Sequence, residues 1–153
     1  KIFPMKKVLM VCLGNICRSP LAEGILQSKI KKDAVFVDSA GTAAYHIGNL
    51  PDKRSIEVAH KYGIDITHQR ARKFTVKDFD TFDVIYAMDE SNYQNILILA
   101  RDEVDTKKVK MILNETHPHK NVSVPDPYYD GRQGFENVFK MLGEACEIIA
   151  SKL

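Results

Sequence analysis

The 153-residue sequence has few cysteines, little net charge and no long apolar stretch, and each shortage excludes a class of protein. Three cysteines, an odd number, are too few for a disulfide-rich scaffold. The net charge of +2 gives no basis for binding nucleic acid or a membrane surface. No apolar run approaches the roughly 20 residues that a membrane-spanning helix needs, and the basic start lacks the apolar core of a signal peptide. We therefore expect no nucleic-acid partner and no membrane partner.

Length and composition indicate a single folded domain. The chain is long enough to bury a substantial core, and its 44% hydrophobic and 27% charged residues are typical of a globular protein. We assign residues 1–153 to one domain. Residues 1–6 are interpreted as a leader that is either disordered or not native to the protein.

The stretch over residues 8–20 organises the rest of the chain. It begins with an apolar run, Val8–Val11, which is typical of a buried parallel strand. The Gly-Asn pair at 14–15 tolerates positive φ, so the chain can turn back. The Ser-Pro pair at 19–20 resembles an N-cap followed by proline, which predicts a helix over 21–32. A strand, a tight loop and a helix N-terminus aim backbone N–H groups into one hollow, which is a site for an anion.

Two side chains in this stretch carry reactive chemistry. Cys12 ends the strand and Arg18 begins the helix, with five residues between them. A thiol beside amide N–H groups and a guanidinium readily becomes a thiolate, which is the nucleophilic form. Arg18 can hold two phosphate oxygens, while the loop amides stabilise the charge that develops on the others. No Walker-type Gly-Lys-Ser/Thr follows, so we expect no nucleotide, no magnesium and no other cofactor.

The remaining chain alternates between strand and helix patterns. Further strands are predicted over 34–38, 82–88 and 109–113, and helices over 51–63, from 75, over 89–101 and over 134–152. A crossover through a helix makes consecutive strands parallel. We therefore predict an α/β fold with a four-stranded parallel sheet flanked by helices on both faces.

Residues 12–20, Cys-Leu-Gly-Asn-Ile-Cys-Arg-Ser-Pro, resemble the signature loop of the low-molecular-weight protein tyrosine phosphatases. That family also carries an Asp-Pro-Tyr motif near its C-terminus, and this chain has Asp-Pro-Tyr-Tyr at 126–129. The resemblance implies a three-layer α/β/α fold and hydrolysis of phosphotyrosine or small aryl phosphates through a phosphocysteine intermediate. It also implies a phosphotyrosine-containing protein as substrate, with phosphate or another oxyanion as product or inhibitor.

Carboxylates supply the remaining chemistry that the resemblance implies. An aryl phosphate leaves poorly unless its bridging oxygen gains a proton, and we interpret Asp126 as the acid that provides it. The alternative is a turn residue before proline. Asp89 is typical of a helix N-cap, and the resemblance implies a supporting role near the loop. Ser19 either donates a hydrogen bond to the Cys12 thiolate or is a plain cap.

The resemblance further implies a network behind the loop and an aromatic slot in front of it. The network would join Asn15 to Ser39 and His68. The slot would hold the substrate ring between Tyr45 and Tyr128, whereas the alternative is that both are ordinary surface tyrosines. The predicted substrate-binding set is Leu13, Gly14, Asn15, Ile16, Cys17, Ser19, Tyr45, Tyr128 and Tyr129.

Cys17 has two interpretations. A loop curled around phosphate could bring it within disulfide distance of Cys12, so that oxidation would switch the enzyme off reversibly. Alternatively, it is a small side chain packed beside the strand. The required thiolate fits a reducing compartment, so the cytoplasm is the expected location.

Two other functions compete with the phosphatase. An arsenate reductase would use the same thiolate on another oxyanion, but residues 89–101 contain no resolving cysteine. A non-catalytic phosphate-binding regulator would have no need for Cys12, Arg18 and Asp126 together. The histidines at 117 and 119 resemble a pair of metal ligands, but a solvated loop fits better because no further ligand lies at a familiar spacing. We expect no metal.

Overall fold

The computed structural model describes residues 5–153, so part of the predicted leader, residues 1–4, lies outside the described residues. Lys6, which was predicted to belong to the leader, is the first residue of a strand. The strands are β1 (Lys6–Cys12), β2 (Val35–Gly41), β3 (Val84–Ala87) and β4 (Val109–Met111). The helices are α1 (Arg18–Ser28), α2 (Lys53–Lys61), α3 (Lys77–Thr81), α4 (Glu90–Leu99), α5 (Glu103–Lys108) and α6 (Gly131–Lys152), with a 3₁₀ turn over Ile112–Asn114.

The four strands form one parallel sheet in the order β2-β1-β3-β4, which confirms the predicted fold class. Alternate side chains of β1 enter two separate cores. Val8 and Met10 pack with α1 and α6, whereas Leu9 and Val11 pack with α3 and α4. Helices therefore cover both faces of the sheet. Strands β2 and β3 lie on opposite sides of β1, so the strand order reverses at β1. Ligands bind at such a switch point, beyond the carboxyl ends of the strands.

Helix α1 begins earlier than predicted. Its first residue is Arg18, and Cys17 occupies the N-cap position without a side-chain cap bond. The interpretation of Ser19 as the cap is therefore wrong. Pro20 lies in the first turn, where its missing N–H breaks no helical hydrogen bond. Because α1 starts early, Arg18 lies at the N-terminus of the helix, close to the C-terminal end of β1.

Strand β2 extends through Gly41, past the point at which Ser39 was predicted to begin a loop. Gly41 passes directly beneath the loop that joins β1 to α1. A Cβ at this position would lie 2.7 Å from the carbonyl oxygen of Leu13 and 3.1 Å from the nitrogen of Asn15. Only glycine fits this crossing without displacing that loop.

Side-chain caps define most of the other helix starts. The cap predicted at Asp89 is present, since its carboxylate accepts from the N–H of Asn92 at 2.7 Å. Helix α5, which was not predicted, starts at a similar cap, Asp102, but its six residues are too few to show a helical period. The longest helix, α6, buries one apolar face. From residue 5 onward, no helix has both the length and the apolar content needed to cross a bilayer.

Candidate active site

The Cys12–Arg18 loop, residues 12–18, connects the C-terminal end of β1, at the switch point, to the start of α1. Asn15 has a φ of 58°, which supplies the predicted turn. Neighbouring segments hold the loop from outside through its carbonyl oxygens. The carbonyls of Cys12, Leu13 and Ile16 accept from the N–H groups of Thr42, Ala43 and Asp52 at 2.9, 2.9 and 2.7 Å. Because these bonds use the carbonyl groups, the N–H groups of the loop remain available to an anion.

The thiol of Cys12 lies against a polarised hydroxyl. Its Sγ is 3.0 Å from Oγ of Ser19, and both residues are buried. The side-chain amide of Asn15 donates to the same Ser19 oxygen at 2.8 Å. Since that oxygen already accepts one bond, its own hydrogen is free to point at the sulfur. The hydroxyl of Ser19 can therefore donate to the sulfur of Cys12, which is the first of its two predicted roles.

Asn15 is the centre of a buried network behind the loop. Its Nδ2 also donates to Ser39 at 3.0 Å, and its Oδ1 accepts from the backbone N–H of Arg72 at 3.0 Å. Ser39 in turn donates to Glu23 at 2.7 Å. Burial raises the pKa of Glu23 to about 7, and the charge of Asp38 adds to that effect, although the Ser39 bond opposes it. The network therefore runs from the nucleophile to a titratable carboxyl group.

The position predicted for His68 needs correction. His68 is exposed and lines a separate hollow, in which Glu23 forms another part of the wall. The side-chain oxygen of Asn15 instead accepts its hydrogen bond from the backbone N–H of Arg72. Two carboxylates hold this segment, because the guanidinium of Arg72 pairs with Asp38 and Asp78 at 3.1 and 3.0 Å. A backbone donor leaves no residue-specific motif, which is why the sequence did not reveal it.

Arg18 is buried and doubly anchored. Its Nη1 donates to Asp89 at 2.6 Å and to the carbonyl oxygen of Val124 at 2.9 Å. Burial opposes its charge, but Cys12, Asp89 and Asp126 outweigh that effect and raise the pKa of Arg18. Asp89 thus orients Arg18 with one carboxylate oxygen and caps α4 with the other, so both predicted roles are present together.

A hollow of about 350 Å³ opens above the Cys12–Arg18 loop. The carboxylate of Asp126 lies 4.0 Å from the guanidinium of Arg18 across this hollow. Its other oxygen accepts from the N–H of Tyr128 at 3.0 Å, which is the turn contact of the alternative interpretation. The walls are formed by Cys12, Leu13, Gly14, Ile16, Cys17, Arg18, Tyr45, His46, Asp126, Tyr128 and Tyr129.

The structure thus brings the three predicted catalytic residues to one hollow, with Tyr45, Tyr128 and Tyr129 at its rim. Asn15 and Ser19, predicted to bind substrate, instead use their side chains in the network behind the loop and are absent from the wall. Cys17 is in the wall, and burial, together with the charges of Asp52 and Cys12, raises the pKa of its thiol.

Sequence reasoning missed two residues near the hollow. His46 forms part of the wall and packs edge-on against the ring of Tyr45 at 6.4 Å between centroids. Arg54 reaches from α2 to the backbone of Tyr128 at 2.9 Å. Neither belongs to the motifs at 12–20 and 126–129. Adjacency to Tyr45 was the only signal for His46 in the sequence.

A thiol at the end of a central strand, a buried arginine at the following helix start and a carboxylate across the hollow define a cysteine-dependent phosphatase. The model of the family described as low molecular weight phosphotyrosine protein phosphatase matches residues 7–153. The chain belongs to this family.

Curated relatives and solved structures agree with this assignment. The low molecular weight phosphotyrosine protein phosphatase of Schizosaccharomyces pombe is 44% identical over 89% of each chain. The human protein of the same name is 40% identical over 96% of this chain and 95% of its own. A protein tyrosine phosphatase of Entamoeba histolytica, solved with Hepes in the active site, superimposes with a TM-score of 0.89 at 37% identity over 96% of each chain.

Proposed function

We propose that the protein hydrolyses phosphotyrosine and small aryl phosphates through a phosphocysteine intermediate. One observation carries the proposal: Cys12, Arg18 and Asp126 surround a single hollow at the carboxyl end of the sheet. A nucleophile, an oxyanion clamp and an acid are the three groups that cleavage of an aryl phosphate requires.

In the first step, the thiolate of Cys12 attacks phosphorus and the bond from phosphorus to the aryl oxygen breaks. The carboxyl proton of Asp126 transfers to that oxygen, so a neutral phenol leaves. The guanidinium of Arg18 and the N–H groups of the Cys12–Arg18 loop stabilise the charge on the three equatorial oxygens. The pairing of Arg18 with Asp89 fixes its orientation before the substrate arrives.

In the second step, the carboxylate of Asp126 takes a proton from water as the water oxygen attacks phosphorus. The bond from phosphorus to sulfur breaks, phosphate leaves and the thiolate re-forms. The hydroxyl of Ser19 stabilises the departing sulfur anion, because it lies 3.0 Å from Sγ. One carboxyl group therefore serves as acid and then as base.

The aromatic rim suits a flat leaving group. Tyr45 and Tyr128 both line the hollow, and a phenyl ring bound between them would gain aromatic contacts on both sides. The exposed Tyr129 borders the mouth, where a protein substrate would continue. A required thiolate fits a reducing compartment, so we place the activity in the cytoplasm, with phosphate and related oxyanions as product and inhibitors.

Steady-state hydrolysis of a panel of phosphopeptides tests the proposal. We expect turnover of phosphotyrosine peptides, far slower turnover of phosphoserine and phosphohistidine peptides, and full activity with a metal chelator present. Acid quenching during turnover of radiolabelled substrate should trap phosphate on Cys12, and the Cys12→Ser variant should trap none.

The competing functions give different results on the same panel. An arsenate reductase would consume arsenate with a thiol reductant, and a regulator would bind phosphate without turnover. Turnover without label on sulfur would contradict the proposed intermediate.

A further inference from the structure

Arg54 makes an unusual number of contacts for a side chain that is 29% exposed. Its Nε and Nη2 donate to the two oxygens of Asp52 at 3.1 and 3.0 Å, in a forked pair. Its Nη1 donates to the carbonyl oxygen of Tyr128 at 2.9 Å. The guanidinium also lies over the rings of Phe135 and Tyr128, at 4.5 and 5.2 Å from their centroids. The planar head is therefore held on its edges and on its faces.

The partner of Arg54 is itself fixed to the Cys12–Arg18 loop. The backbone N–H of Asp52 donates to the carbonyl of Ile16 at 2.7 Å. The hydroxyl of Ser55, one residue beyond Arg54, donates to the carbonyl of Cys17 at 3.2 Å. The start of α2 is thus bound to the outer side of the phosphate-binding loop, and Arg54 extends from it towards residues 126–130.

Residues 126–130 have mostly local bonds of their own. The N–H of Tyr128 binds the carboxylate of Asp126 at 3.0 Å, and the N–H of Asp130 binds the carbonyl of Pro127 at 3.0 Å. These bonds shape the turn but do not place it relative to the sulfur. Two contacts do so. Asp126 pairs with Arg18 at 4.0 Å, and the shorter bond from Arg54 to Tyr128, at 2.9 Å, joins the turn to α2 and through α2 to the loop.

We infer that Arg54 is a positioning residue that sets the distance between the acid, Asp126, and the phosphate held by the Cys12–Arg18 loop. The inference deepens the proposed function and rests on it. A bond donated by a guanidinium is stronger than one between neutral groups, and the fork to Asp52 restricts where Arg54 can point. Proton transfer depends steeply on the placement of the donor, so loss of this tie affects the acid before it affects phosphate binding.

The matched variants are Arg54→Met, Arg54→Lys and Arg132→Met. Arg54→Met keeps an unbranched apolar side chain but removes the hydrogen bonds to Asp52 and Tyr128 and the cation–π contact with Phe135. Arg54→Lys keeps the charge but cannot reach Asp52 and Tyr128 as a planar fork. Arg132 is the control, because it also joins α6 to α2, through an ion pair with Glu57, and no bond connects it to Tyr128.

The readout is kcat/KM for phenyl phosphate and for 2,4-dinitrophenyl phosphate, together with inhibition by inorganic phosphate. For Arg54→Met we expect about a 10-fold loss on phenyl phosphate and less than about a 2-fold loss on the activated ester, whose leaving group needs no proton. Arg54→Lys should lie between Arg54→Met and the unaltered protein. Phosphate inhibition should be unchanged in both variants, and Arg132→Met should match the unaltered protein throughout.

Hydrogen exchange gives a second readout that does not depend on activity. We expect the amides of residues 126–130 to exchange faster in Arg54→Met and at the normal rate in Arg132→Met. Equal losses on both esters, weaker phosphate inhibition or unchanged exchange would overturn the inference. If the unaltered protein hydrolyses neither ester, the proposed function fails, and the exchange comparison still decides whether Arg54 holds the segment.

Discussion

The two parts of the candidate active site are built in opposite ways. In the Cys12–Arg18 loop, the side chains that carry the chemistry are buried, and neighbouring segments bond the loop on several sides. In residues 126–130, the side chain of Asp126 is 48% exposed and Tyr129 is 90% exposed. The Cys12–Arg18 loop is therefore bonded on several sides, whereas residues 126–130 form a surface turn with few contacts to the rest of the site.

The difference follows from what each half does. Charge that develops on phosphoryl oxygens is stabilised most by donors that are already in place, so the proposed function requires a Cys12–Arg18 loop that is positioned before substrate binds. Under the proposed function, the proton donor and the aromatic rim must instead admit a phosphorylated side chain and release a phenol. A partly exposed turn permits this passage, while its ties to Arg18 and Arg54 keep the acid near the reaction.

The largest expected effect on activity comes from changing Arg18, at the end of the Cys12–Arg18 loop. In Arg18→Lys, one ammonium group would have to replace a fork that binds Asp89 and Val124 and still holds phosphate. We expect kcat/KM for p-nitrophenyl phosphate to fall by about 10³-fold. Arg70→Lys, at an exposed arginine that bonds backbone carbonyls, should retain full activity. A loss below about 10-fold in Arg18→Lys would show that the fork is not essential.

The next effect concerns the exposed half and should depend on the leaving group. In Asp126→Asn, we expect kcat/KM for phenyl phosphate to fall by about 10²–10³-fold, because no proton reaches the departing oxygen. The loss on 2,4-dinitrophenyl phosphate should be much smaller, and phosphate inhibition should not weaken. Asp130→Asn, in the same turn, is the matched control and should behave normally. Equal losses on the two esters would contradict the role of Asp126 as acid.

The Cys12–Arg18 loop was predictable from sequence because its conformation depends on residues that are close together in the chain. A short apolar strand, a residue that accepts positive φ and a helix start follow one another within 8–20, and each follows from the chemistry of its own residues. The sheet was predictable for the same reason, since alternating strand and helix patterns admit few parallel arrangements. Even so, the helix began before the Ser-Pro pair, because the hydroxyl of Ser19 binds Cys12 and Asn15 and not a helix N–H.

The supports between distant segments were not predictable in this way. His68 was expected to complete the bonds of Asn15, but the backbone of Arg72 does so. Arg54 and the turn at 126–130 are far apart in sequence. Arg54 donates to the backbone carbonyl of Tyr128, and a residue of any type at position 128 would offer that carbonyl. Contacts made through backbone atoms depend on how segments pack, and no side-chain pattern records them.

A stability measurement can sharpen the contrast between the two halves. In Asn15→Ala, the groups that its amide binds lose their partner, and alanine must adopt a φ of 58°. We expect the free energy of unfolding to fall by roughly 2–4 kcal/mol in a urea titration. The exposed counterpart, Tyr129→Ala, should change it by less than about 0.5 kcal/mol. Similar losses in both variants would mean that the two halves do not differ in how firmly they are built.

The smallest effect lies at the far end of the same network and depends on pH. The pKa of Glu23 is about 7, above its ordinary value of 4.5, so the folded protein holds this proton more tightly than the unfolded chain does. Stability from Glu23 is therefore fully present below about pH 4.5 and is lost as pH rises towards 7. Relative to Glu23→Gln, which carries no charge, the unaltered protein should lose about 3 kcal/mol across this window. Thermal unfolding from pH 4.5 to 8 measures the difference, and the exposed Glu144→Gln should run parallel to the unaltered protein. Parallel curves for Glu23→Gln and the unaltered protein would contradict the raised pKa and show that water solvates the carboxylate of Glu23 in the folded protein.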